Sequence, residues 1–140
     1  MVESEAAHGI ELMRSLFAAV EAGDIDFIVS HVARDAARHD LAEAYPGVDG
    51  SNVGDFINTL RAGVPDMRLP IHDIFACGDR VAVRFAIEGI HQGELFGAPG
   101  SGRPISINGI NIYRLQNGLV QETWQLADVA GLMRQVGGVD

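Results

Sequence analysis

Four polar side chains, His91, Asn111, Thr123 and Gln125, lie within strand-like segments in the second half of the chain. Alternate residues of an extended strand share a face. His91 therefore shares a face with a run of apolar residues, Val81, Val83, Phe85 and Ile87. An apolar face that carries a few polar groups is typical of a ligand pocket. For Thr123 and Gln125, a simply solvated strand face is an equally good interpretation, because antiparallel sheets allow one wet face.

The last strand-like segment divides its side chains between two faces. Simple alternation groups Val120 with Trp124 and Leu126, and it groups Gln121 with Thr123 and Gln125. A β-bulge in this segment would change the grouping locally, because it inserts one extra residue into the strand.

Helices are predicted before and after these strands. Ile10, Met13, Phe17 and Val20 recur at helical spacing until Gly23 ends the first helix. The N-caps of the second, third and last helices are predicted at Asp24, at Ser51 or Asn52, and at Asp128. A brief extended piece near Ala36–Asp40 and a loop containing Pro46 and Gly50 separate the second and third helices.

Four strands are predicted between the third and last helices. They span Arg68–Cys77, Arg80–Gln92, Ile105–Leu115 and Leu119–Leu126, with hairpin turns at Gly78-Asp79 and Asn117-Gly118. This order predicts an α+β fold in which the helices pack on one face of a curved antiparallel sheet.

Composition limits the classes of partner. The 140 residues are expected to form one domain, residues 1–140. The net charge is −9 and all 10 basic residues are arginine, so we expect no nucleic-acid partner and no membrane partner. No apolar run is long enough to span a membrane and the N-terminus lacks signal-peptide features, which predicts a cytoplasmic protein. The single cysteine, Cys77, excludes an intramolecular disulfide.

Segments 91–104, 109–118 and 122–128 together resemble the SnoaL-like polyketide cyclases. The most specific stretches are Gly109-Ile-Asn-Ile-Tyr-Arg and Glu122-Thr-Trp-Gln, while the first half matches more loosely, at Gly23-Asp24 and around His39. The resemblance implies the cone-shaped α+β fold of nuclear transport factor 2 and the ketosteroid isomerases, with one pocket enclosed by the helices and the sheet.

The resemblance also implies an activity. Cyclases of this family close a polyketide ring by an intramolecular aldol reaction without a metal or organic cofactor, so we expect no cofactor and no metal. An acidic residue on their last strand transfers the proton. In this chain Gln125 stands at that position, and Thr123 stands where the family often has histidine. An amide cannot accept a proton at neutral pH. Either the chemistry differs from that of the family, another group is the base, or the pocket only binds a ligand.

Roles for the remaining residues follow from the resemblance and from strand parity. Gln125 and Asn111 are expected to hold the substrate carbonyl and its developing oxyanion as hydrogen-bond donors. His91 is preferred over His39 as the general base, because its strand face is apolar. The other predicted substrate-binding residues are His39, Phe17, Phe56, Thr123 and Asp128, although helix capping is the simpler and favoured role of Asp128.

Several functions stay open at this stage. The leading interpretation is a cyclase or isomerase acting on a small hydrophobic, polycyclic or polyketide-like carbonyl compound, in a homodimer packed through the sheet. A hydratase or epoxide-opening hydrolase on the same fold is an alternative, and so is a non-catalytic binding protein. Phosphate binding and metal binding are disfavoured, since the chain contains no lysine and no histidine spacing typical of a metal site.

Overall fold

The computed structural model describes residues 2–39 and 52–136. Four helices and five strands occur in these ranges. In chain order they are α1 (Val2–Ala22), α2 (Ile25–Ser30), β1 (Val32–His39), α3 (Val53–Gly63), β2 (Ile71–Cys77), β3 (Arg80–Ile90), β4 (Pro104–Gln116), β5 (Leu119–Ala127) and α4 (Val129–Gln135). The predicted loop around Pro46 and Gly50, the alternative cap Ser51 and the end of the predicted extended piece at Asp40 lie outside the described residues.

Side-chain caps begin α2 and α3 at the predicted positions. Asp24 accepts a hydrogen bond from the backbone N–H of Phe27 at 3.2 Å, which starts α2. Asn52 accepts from the N–H of Asp55 at 3.1 Å and starts α3. Each cap satisfies one of the backbone donors that have no partner within the first helical turn.

One five-stranded sheet has the strand order β1-β5-β4-β3-β2. Strands β2 to β5 form the predicted antiparallel meander, and the turn before β5 carries Asn117 at φ 55° and Gly118 at φ 74°, as a tight hairpin requires. The predicted brief extended piece is a full strand, β1, which pairs in parallel with β5. This pairing joins residues that are far apart in sequence, so local pattern did not show it.

A bulge in β5 corrects the predicted grouping of its side chains. Arg114 pairs with Glu122, but the next residue of β4, Leu115, pairs with Val120, so Gln121 is the extra residue. A bulge reverses alternation at one point of a strand. Val120 therefore lies on the inner face with Thr123 and Gln125, whereas the prediction had grouped it with Trp124.

The core lies between the helices and the inner face of the curved sheet. Its buried members include Met13 of α1, Leu60 of α3, Val83 and Phe85 of β3, and Ile107 of β4. Burial of such side chains contributes roughly 1.5–3 kcal/mol each. The architecture is the α+β cone that the sequence predicted. Within the described ranges, no helix has the length and apolar character needed to cross a membrane.

Candidate functional site

A cavity lies between the helices and the inner face of the sheet. It encloses about 800 Å³ that protein atoms do not fill, a volume that includes its open mouth. Most of its wall is aliphatic or aromatic, and Phe17, Phe56 and Phe85 provide the rings. Phe17 packs edge-on against Phe85 with ring centroids 5.1 Å apart. Phe17 and Phe56 thus lie where the sequence predicted them, in the pocket wall.

Four polar side chains on β4 and β5 form one cluster in this apolar wall. Asn111 pairs directly across the strands with Gln125, and Tyr113 pairs with Thr123. All four line the cavity. Asn111 is 4% exposed and Gln125 is 7% exposed, so their polar atoms are removed from bulk water. The structure therefore brings together three of the predicted residues, Asn111, Thr123 and Gln125, and adds Tyr113 to them.

The hydrogen bonds of the cluster differ from the expected ones. Asn111 donates through Nδ2 to the hydroxyl oxygen of Tyr113 at 2.8 Å. Its Oδ1 is buried without a hydrogen-bond partner among the described residues, and the same holds for Oε1 of Gln125. The prediction had assigned carbonyl binding to the amide N–H groups of both residues. Two amide oxygens, which are hydrogen-bond acceptors, are the buried side-chain atoms without a partner among the described residues.

Tyr113 is held as a neutral phenol. Burial raises its pKa to about 12, against smaller opposite effects of the hydrogen bond from Asn111 and the charge of Arg38. Burial disfavours the charged form of an acid, which is why the pKa rises. Because its oxygen already accepts from Asn111, the hydroxyl hydrogen of Tyr113 can be donated to a ligand oxygen.

Arg38 supplies a positive charge to the cavity wall. It lies on β1 opposite Thr123 of β5, and its guanidinium carbon is 4.8 Å from the ring centroid of Phe56. Neither Arg38 nor Tyr113 was among the residues predicted for the site. Alternation would have indicated both, because Arg38 is two residues after the cavity residue Ala36 and Tyr113 is two residues after Asn111.

His91 is completely buried but does not line the cavity. Its Nε2 lies 3.2 Å from the carbonyl oxygen of Ala98, which can only accept a hydrogen bond, so Nε2 carries the proton. Its Nδ1 accepts from the backbone N–H of Ser101 at 3.3 Å and lies 3.0 Å from the hydroxyl of the same residue. Both ring nitrogens are thus engaged by the loop that follows β3. This placement favours a structural role over the predicted role of general base.

His39 lies on the outer face of the sheet, away from the cavity. Its ring stacks on Trp124 with centroids 5.2 Å apart, and its Nε2 is 2.7 Å from a carboxylate oxygen of Glu122. Hydrogen bonds from Arg114 and from His39 lower the pKa of Glu122. These contacts form a polar and aromatic surface cluster, and they place His39 away from the cavity in which it was predicted to bind substrate.

Asp128 caps α4, as the simpler of its two predicted roles required. Its Oδ1 accepts from the backbone N–H of Gly131 at 2.8 Å. It does not line the cavity.

Within residues 2–39 and 52–136, no carboxylate and no imidazole lines the cavity. The same residues hold no cluster of three or more histidine, cysteine or acidic side chains that could hold a metal ion.

The cone of helices over a curved sheet, with one polar cluster in an apolar cavity, defines a small-molecule pocket protein of the nuclear transport factor 2-like fold. The family model described as "SnoaL-like polyketide cyclase" matches residues 10–136. The chain belongs to the SnoaL-like polyketide cyclase family.

Solved structures agree with this assignment. TsrD from Streptomyces laurentii is 27% identical, with a TM-score of 0.82 over 95% of this chain and 97% of that one. The structure described as "wild-type IdmH, a putative polyketide cyclase" from Streptomyces antibioticus is 28% identical, with a TM-score of 0.76 over 92% of this chain and 98% of that one. A third, described as "AclR a putative hydroxylase" from Streptomyces galilaeus, is 24% identical with a TM-score of 0.83, covering 96% and 99% of the two chains, and shows the shared fold. A search of curated proteins gave no match.

Proposed function

We propose that this protein is a cofactor-independent cyclase or isomerase that acts on a polyketide-like or other polycyclic carbonyl compound. The observation that carries the proposal is the cluster of Asn111, Tyr113 and Gln125 in the wall of an apolar cavity. Apolar walls bind a ring system, and a few polar groups orient its oxygens. Family membership supports the same reaction class.

In this proposal the cavity contributes orientation and oxyanion stabilisation. A carbon beside one carbonyl loses a proton to solvent and attacks a second carbonyl, whose oxygen becomes an alkoxide and takes up a proton from solvent. Tyr113 donates a hydrogen bond from its hydroxyl group to the oxygen that becomes negatively charged. The positive charge of Arg38 also stabilises this negative charge. Holding both carbonyls in one cavity removes much of the entropic barrier to ring closure.

A second candidate function is binding without catalysis. The observation that favours it is the lack of a carboxylate or imidazole among the described residues that line the cavity. Such a protein would hold the same ligands without accelerating proton transfer.

Hydrogen exchange in a simple ketone separates these two functions. The two-ring ketone 2-tetralone is incubated in D₂O at neutral pD, and loss of its α-proton signals is followed by ¹H NMR. Stabilisation of the enolate by a preorganised donor should accelerate exchange on the order of 10²-fold over buffer. A matched sample of heat-denatured protein is the control. Saturable binding without acceleration would favour the binding protein and refute the enzyme.

We also propose that the protein is a cytoplasmic homodimer without nucleic-acid or membrane partners. The outer face of the sheet carries exposed apolar side chains, among them Ile110, Ile112 and Leu126, of which Leu126 is 67% exposed. Ile112 and Trp124 pair across β4 and β5, and Ile110 pairs with Leu126, so these side chains are contiguous. Contiguous exposed apolar surface is typical of a protein interface.

Sedimentation equilibrium tests the dimer. We expect a species of twice 15.0 kDa at micromolar concentration. Leu126→Arg should convert it to the monomer, because a charge at the centre of an apolar interface is left unpaired. Arg68→Glu, an exposed change outside this patch, is the control and should leave the dimer intact. A wild-type monomer throughout this concentration range would contradict the proposal.

A further inference from the structure

Two buried acceptors in the cavity have no donor. Oδ1 of Asn111 and Oε1 of Gln125 lack a hydrogen-bond partner among the described residues, and the two residues face each other as a direct cross-strand pair. Buried polar atoms are nearly always paired, since an unpaired one costs on the order of 1–3 kcal/mol. Two such atoms, on residues that pair across the strands and line a ligand cavity, indicate that the ligand supplies the missing donor.

The neighbouring side chains define which donor fits. The amide nitrogen of Asn111 is already used on Tyr113, so the oxygen is the atom that it offers to a ligand. Tyr113, with its pKa of about 12, offers a neutral hydroxyl two residues along the same strand face. Adjacent acceptor and donor positions match a ligand that carries a hydroxyl close to a carbonyl.

We propose that the cavity selects ligands that present a phenolic or enolic hydroxyl to Asn111 and Gln125, with a nearby carbonyl oxygen on Tyr113. Hydroxyaryl ketones and enolised 1,3-dicarbonyl compounds have this chemistry. The identification of the cavity as the ligand site rests on the proposed function, whereas the choice of hydroxyl rests on the two unpaired oxygens. Asn111 and Gln125 are then the specificity-determining residues.

A cationic donor fits this cavity poorly. An ammonium group would be buried with Arg38 lining the same cavity and with no carboxylate among the described lining residues, so its charge would lack a partner. A neutral hydroxyl satisfies the amide oxygens without adding charge. An amide at position 125 also stays neutral, so it binds the hydroxyl without removing its proton.

This selectivity also bears on proton transfer, since no carboxylate or imidazole is among the described residues that line the cavity. A 1,3-dicarbonyl compound that binds as its enol has already lost the carbon-bound proton in solution. When the enol carbon attacks the second carbonyl, a carbon–carbon bond forms and the enol becomes a ketone and releases its hydroxyl proton. The released proton passes to solvent at the open mouth of the cavity, and the new alkoxide takes a proton from the same solvent, so the protons balance without a base among the described lining residues.

The test compares two ligands of nearly equal shape, 2-naphthol and 2-methylnaphthalene, by ligand-observed NMR titration. The methyl compound lacks only the hydroxyl donor. We expect wild-type protein to bind 2-naphthol about tenfold more tightly, and we expect Gln125→Leu to remove most of that preference. Gln121→Leu is the matched control, because Gln121 lies on the same strand but bonds to Asp35 outside the cavity.

Stability provides an independent readout. Gln125→Leu removes an unpaired buried oxygen and keeps a similar volume, so its melting temperature should equal or exceed that of the wild type. Equal affinity for the two ligands, or a preference that survives Gln125→Leu, would overturn the inference while leaving the cavity as a binding site. Failure of both ligands to bind would overturn it as well. Selective binding of 2-naphthol without exchange of 2-tetralone would support the inference and contradict the proposed enzyme.

Discussion

Replacing His91 with alanine is expected to lower the free energy of unfolding by about 3–5 kcal/mol. The imidazole is completely buried, and its removal leaves a cavity. It also leaves the N–H of Ser101 without its partner and leaves the carbonyl of Ala98 with the N–H of Leu95 as its remaining donor. The backbone of His91 also forms hydrogen bonds with Gly102 and Arg103. The substitution therefore perturbs the loop between β3 and β4 at the point where its two ends meet. Thermal unfolding followed by circular dichroism measures the effect.

The control for this change is His72→Ala. His72 is exposed on β2, and exposed substitutions usually change stability by no more than about 0.5 kcal/mol. Exchange of 2-tetralone, measured well below the melting temperature of the variant, distinguishes a structural role of His91 from catalysis. Loss of exchange in His91→Ala with an unchanged melting temperature would instead support His91 as the general base.

Replacing Tyr113 with phenylalanine is expected to reduce catalysed exchange of 2-tetralone by about 10²-fold, the effect typical of removing one preorganised donor. Saturation by the ketone should be retained, because Phe keeps the ring that packs against Phe17 at 6.3 Å. Phe17→Leu is the control, since it alters the same wall without removing a donor. Equal rates in wild type and Tyr113→Phe would contradict the assigned role.

The ionisation of Tyr113 gives a second measurement of the same group. The chain contains two tyrosines, so Tyr45→Phe leaves Tyr113 as the one phenol that titrates at 295 nm. Its midpoint should lie near 12 rather than the ordinary 10. Because the folded pKa is raised, the associated stability is fully present below pH 10 and is lost as the pH rises through about 12. A midpoint near 10 would show that burial does not hold the phenol neutral.

Much of this fold follows from local sequence. The caps at Asp24, Asn52 and Asp128, the hairpin at Asn117-Gly118 and the inner-face position of Asn111 all depend on neighbouring residues. Local hydrogen bonds and strand alternation depend only on residues that are close in sequence. They therefore form wherever the element lies in the tertiary structure. The family was therefore recognisable from the sequence, and the family model confirms it.

The final geometry of the site depended on tertiary pairing. Parallel pairing of β1 with β5 places Arg38 opposite Thr123, and the extra residue Gln121 turns Val120 to the inner face. His91 has the parity of a pocket residue, yet Ala98 and Ser101 of the following loop engage both of its ring nitrogens. Register, bulges and loop paths arise from contacts between segments distant in sequence, which local pattern does not encode. The sequence by itself therefore determined the helices, the strands of the meander and the inner-face candidates on β4. Only the tertiary structure decided which polar atoms reach the cavity and which stay unpaired.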